Sequence, residues 1–133
     1  MISWKALLIA CAIGVPGVSA VAQSVTDLPR AKTCARRSTI AQAGHDVGTT
    51  VIRMTNDGGW CWLDLFAVYA SMQYVPTFRV ARAPAHGELL MGTVEKRARV
   101  AYRPSKDFEG EDSYVLMGTL TNAERVVTIT ISR

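Results

Sequence analysis

The chain is poor in the residues that usually mark chemistry. Its only histidines, His45 and His86, lie far apart in sequence. There is no H-E-x-x-H, no C-x-x-C and no phosphate-cradling glycine loop, so the motif-borne zinc, redox and nucleotide sites are excluded. No serine sits in G-x-S-x-G, which removes the nucleophile elbow. The residues therefore point to no catalytic set, no cofactor and no metal. Internal repeats and low-complexity blocks are absent, and nothing reads as a strong amphipathic helix. The basic excess is small. It gives a weak pull toward acidic surfaces, not a nucleic-acid signature.

What is present begins with an export signal. Lys5 gives a positive start, Ala6 to Val15 is an almost unbroken apolar run, and Pro16 and Gly17 end it. Small residues follow in "VSAVAQS". That order is the one of a secretory signal. The run is too short for a stable transmembrane helix, so no membrane span is expected after cleavage. Cuts after Ala20 or Ala22 both fit; the second leaves Gln23 as the new terminus and residues 1–22 as the signal. A rival reading takes "LIAC" as a lipobox acylating Cys11. Cleavage at Ala22 leaves Cys34 and Cys61, which have one possible connectivity in an oxidising periplasmic or extracellular compartment. With Lys5 gone, 14 basic side chains face 11 acidic ones.

The mature chain is one domain by length. Residues 23–37 are polar, basic and without period, and read as an N-terminal arm. Residues 38–133 read as one β domain. "TTVIRMT" alternates, with Thr50, Ile52 and Met54 on one face. "NDGG" at 56–59 reads as a hairpin-type turn. "WCWLDLFAVYA" reads as a strand whose Cys61, Leu63, Leu65, Ala67 and Tyr69 share an apolar face. "PTFRVARAP", "HGELLMG", "EKRARVAYRP", "SYVLMGTL" and "ERVVTITIS" supply further strands, the last two joined by a turn at "TNAE". Short alternating strands with regular turns predict an all-β sandwich.

Three segments then fall in a telling order. "PAHGEL" starts at Pro84, "VAYRP" at Val100 and "FEGEDSY" at Phe108, and a Val/Thr/Ile strand closes the chain. This succession of P-x-H-G, Y-x-P and F-x-G-x-D-x-[FY] resembles the bacterial Ig-like, cadherin-like modules of exported and cell-surface proteins. The resemblance covers the last third to half of the chain. It implies an Ig-like antiparallel β-sandwich and no particular activity.

The residues themselves make the motif a corner. Pro104 ends a strand. Gly110 takes a backbone conformation closed to other residues. Asp112 accepts bonds from nearby N–H groups. Phe108 and Tyr114 drop between the sheets, and Tyr102 belongs to the same pattern. The rival is a calcium site built from Asp107, Glu109, Glu111 and Asp112, but the D-x-D-x-D-G spacing is missing.

Two surfaces remain as binding candidates. If Cys61 faces inward, Trp60 and Trp62 share the opposite face. They are then either an exposed aromatic pair able to grip a sugar or a protein, or a pair packed under the arm. Arg97, Arg99 and Arg103 form a basic stripe, read as a solvated outer face. Together these features predict an exported, non-catalytic module that binds a glycan or protein partner. The alternatives are an accessory envelope component without a ligand, and a secreted enzyme inhibitor.

Overall fold

The computed structural model describes residues 24–42, 45–65, 67–69, 72–119 and 123–133. The segment read as an export signal, and part of the "TNAE" stretch read as a turn, lie outside them. Ten strands follow one another, and among the described residues there is no helix. They are β1 (Cys34–Gln42), β2 (His45–Thr55), β3 (Cys61–Leu65), β4 (Ala67–Tyr69), β5 (Met72–Tyr74), β6 (Phe78–Arg82), β7 (Gly87–Val94), β8 (Arg97–Pro104), β9 (Gly110–Gly118) and β10 (Glu124–Ser132).

The strands form two main sheets and a small ribbon. One sheet has the order β1-β2-β10-β9-β6, the other β3-β8-β7, and β4 pairs with β5 alone. All pairings are antiparallel except β2 with β10, which run parallel. The period-2 pattern explains which face goes inward, because successive side chains point to opposite sides of a sheet. Ile52 and Met54 of β2, Tyr114 and Leu116 of β9, and Val127, Ile129 and Ile131 of β10 meet Cys61, Leu63, Val100 and Tyr102 of the smaller sheet in one core. The Val, Leu, Ile and Met side chains among these are each worth about 1.5–3 kcal/mol of burial, which is what closes the two layers on each other. The result is an all-β, sandwich-like molecule.

Three expectations change here. "NDGG" is not a hairpin: β2 pairs with β1 and β10, while β3 pairs with β8, so residues 56–59 carry the chain from one sheet to the other. The turn chemistry was read correctly, since Gly58 has φ +86°, but a turn signal does not say which strands pair. The long apolar segment is not one strand either, for β3 stops at Leu65 and Ala67–Tyr69 turns to pair with β5. Finally, the segment read as an arm up to residue 37 already contains the start of β1. Its Cys34, Arg36 and Ser38 stand opposite the inward Met54, Ile52 and Thr50. Edge exposure blurs the burial contrast there, which hides the strand from the eye.

The shortened arm, 24–33, still has a definite seat. Trp60 N–H donates to Pro29 O at 2.8 Å and Ala31 N–H to Trp60 O at 2.9 Å. Val25 and Leu28 bury against Trp60 and Ala101, with Trp62, Leu90 and Val94 around them. The outer face of the smaller sheet is thus covered, and Ala101 is as buried as the inward Val100. Cys34 and Cys61 form a disulfide with Cα atoms 5.4 Å apart, fixing β1 to β3 where the arm ends.

Candidate functional site

The corner residues converge on one carboxylate. Asp112 Oδ1 accepts the backbone N–H groups of Ala85 at 3.0 Å and Ser113 at 2.9 Å. Its Oδ2 accepts His86 N–H at 3.0 Å and the Tyr102 hydroxyl at 2.7 Å. The three sequence segments therefore meet at a single side chain that is 6% exposed. Burial pushes its pKa up, but the Tyr102 hydroxyl and the three N–H donors outweigh that and hold it below the usual carboxylate range. Burial and Asp112 hold the Tyr102 phenol far above its ordinary value, so it remains a donor.

The surrounding residues fit that carboxylate. His86 and Phe108 stack at 4.1 Å, and the Tyr102 and Tyr114 rings at 6.2 Å. Gly110 has φ +134°, which only glycine adopts readily. Pro104 ends β8 and is buried. Asn56 of the sheet-crossing turn donates to the carbonyls of Ser105 at 2.8 Å and Phe108 at 2.9 Å. The acidic residues do not converge. Asp112 points inward, Glu109 lies 3.8 Å from Arg133, and Glu111 is exposed on β9. Among the described residues no group of three or more His, Cys, Asp and Glu is placed to hold a metal.

The aromatic pair separates. Cys61 is fully buried, as the premise required, yet Trp60 is only 2% exposed because the arm lies over it. It offers no contact area, so for Trp60 the reading of a tryptophan packed under the arm holds, and an exposed Trp60/Trp62 pair does not form. Trp62 is half-buried. Two guanidinium groups lie over its ring, Arg99 at 4.8 Å and Arg30 at 5.2 Å from the centroid. Arg103 lies 4.6 Å over the Trp60 ring.

The basic stripe is also redistributed. Arg103 pairs with Glu88. Arg99 grips Asp64 with two hydrogen bonds, at 2.7 and 3.0 Å, and donates a third to Val25 O at 3.2 Å, holding the arm. The Arg99 hydrogen bond is the main reason why Asp64 lies below the usual carboxylate range, and burial opposes it. Arg36 reaches from β1 across the side of the sandwich to donate to Trp62 O. That bond and the arm together cover the open edge of β3, a device that also discourages edge-to-edge pairing. Burial does most to lower the Arg36 pKa, Arg30 next, and Asp64 works against them.

So the two surfaces that sequence reasoning set against each other are one surface. Trp62 and Arg99 are neighbours in space, one on each of two paired strands. Sequence reasoning missed Arg30 and Arg36, which lie in the stretch read as a featureless arm. The signal available was their basic character beside Cys34, whose bridge to Cys61 brings them next to Trp62. Two shallow clefts flank other parts of the molecule. One of about 350 Å³ is lined by Arg82, His86, Glu111, Ser113 and Thr128. Another of about 640 Å³ lies between the 56–58 turn and the 103–107 segment. A scan against protein-family models finds no match, and a search of the curated proteins finds none either.

Proposed function

We propose that the chain is an exported, non-catalytic Ig-like module that works by binding a glycan or protein partner of the envelope through the surface around Trp62. The strand order supports the Ig-like reading. With β3, β6, β7, β8, β9 and β10 in the places of strands B to G, the smaller sheet reads B-E-D and the larger contains C-F-G. The disulfide supports an oxidising compartment. Among the described residues no helix is long and apolar enough to cross a membrane.

The observation that carries the binding reading is the gathering of arginines at one half-buried tryptophan. Arg30 and Arg99 lie over Trp62, and Arg36 donates to its carbonyl. Tryptophan and arginine are the residue types that dominate interface energetics. The test is a pull-down with the mature protein from its own envelope fraction. A partner retained by the wild type but lost by Trp62→Ala that remains folded is the expected outcome. The burial of Trp60 favours a second reading, an accessory component without a dedicated ligand. Under it, wild type and variant retain the same background.

A further inference from the structure

This inference rests on the binding reading and names the chemistry of the ligand. Arg30 comes from the arm, Arg36 from β1, and Arg97 and Arg99 from β8. The charges of Arg36, Arg97 and Arg99 all act on Asp64, and those of Arg30 and Arg99 on Arg36. One carboxylate thus serves a group of guanidinium ions, and it is taken up by Arg99 through two hydrogen bonds. Arg103 has its own acid in Glu88. Among the described residues the side-chain hydrogen bonds of Arg30 and Arg36 go instead to the carbonyls of Cys34 and Trp62. A guanidinium carries five N–H donors, so both side chains keep donors to spare. Both residues are exposed.

Like charges held this close repel one another, and an oxyanion placed between them removes that repulsion. The planar fork of arginine matches carboxylate and sulfate groups in pairs of bonds. Trp62 is what holds Arg30 in place, because a cation over an indole face is attracted to it. The charges are spread over three elements, which suits a chain bearing one charge per unit better than a single small ion. A lipid surface fits poorly. The large apolar side chains that stand exposed among the described residues, Val51 and Val80, belong to the other sheet. We infer that Arg30 and Arg36, with Arg30 oriented by Trp62, bind the carboxylate or sulfate groups of an acidic glycan.

The test is a binding titration of the mature protein with polygalacturonate, a heparin oligosaccharide and neutral dextran, at low and at raised salt. The two acidic probes separate carboxylate from sulfate as the source. At least one is expected to bind saturably, more weakly as salt rises, while dextran does not bind. Arg30→Gln/Arg36→Gln is expected to weaken that binding about tenfold or more. Arg53→Gln/Arg79→Gln, which removes the same charge from β2 and β6, away from Trp62, is expected to change it by less than about twofold. Arg36 contacts the backbone, so the single variant Arg30→Gln, at an exposed position, is the check should the double variant misfold. Trp62→Phe should keep most of the affinity that Trp62→Ala loses. Equal loss in both double variants would overturn the inference, for binding would then follow net charge. So would failure of every acidic probe to bind. If the envelope partner is then still retained in a Trp62-dependent way, the binding reading survives and only the ligand chemistry is wrong. If nothing is retained, both fall.

Discussion

Asp112 shows how much of this fold depends on single polar atoms. Four donors end on one nearly buried carboxylate. Removing any one donor leaves a lone pair unsatisfied out of water, which costs about 1–3 kcal/mol. The two tyrosines that stack beside it make a matched comparison. The Tyr102 hydroxyl donates to Asp112, whereas the buried Tyr114 hydroxyl makes no hydrogen bond among the described residues. Tyr102→Phe should therefore lower stability by about 1–2 kcal/mol, and Tyr114→Phe should leave it unchanged or raise it slightly, as read by chemical denaturation. The carboxylates also set the acid limit. Asp112 and Asp64 have folded-state values below the ordinary one. Their contribution is present above the unfolded value of about 3.9 and is lost as pH falls through the lower folded values. Melting temperature should thus drop below about pH 4, and Asp112→Asn should start lower but fall less steeply over that range.

At the scale of elements, the arm behaves as part of the fold. It covers a sheet face that in an open sandwich faces water. Gly92 is what lets it sit so close, since a methyl group there would come within 2.5 Å of Val25 Cγ2. Gly59 does the same for the backbone of Ala31, at 2.4 Å. Leu28→Ala should cost about 2 kcal/mol and raise the indole accessibility of Trp60, measured by fluorescence quenching. The Cys34–Cys61 bridge acts on the same element. Closing a loop of 27 residues' separation stabilises by about 3.5 kcal/mol in the chain-entropy account.

How far these elements could be read in advance varied with the physics behind each. The strands β8, β9 and β10 and the inward faces of β2 and β3 were legible, because one-sided burial writes a period of two into the sequence. Asp112 was legible because glycine, proline and aspartate have narrow backbone roles. The parallel register of β2 on β10 was not, since no local pattern records which distant strands pair. The strand β1 was hidden because an edge strand with mostly exposed side chains looks like a basic tail. The fate of Trp60 depended on the arm, and two tryptophans two residues apart cannot say which of them will be covered.

Seen as a whole, the molecule has two unlike outer faces. The larger sheet presents alternating threonine, valine and arginine side chains from β2 and β10, with Val51 42% exposed. The smaller sheet is closed off by the arm, and at its open edge Arg30, Arg36 and Trp62 come together beside the disulfide. The exported-module reading places the binding work at that edge. The most direct measurement is a heteronuclear NMR titration of the folded mature protein with the acidic glycan that binds it best, following the Trp62 indole N–H and the arginine Nε–H signals. The account predicts that Trp62, Arg30 and Arg36 shift together and saturate, while Arg53 and Arg79 stay in place. Saturating shifts at Arg53 and Arg79, with Trp62 and Arg30 unmoved, would contradict it.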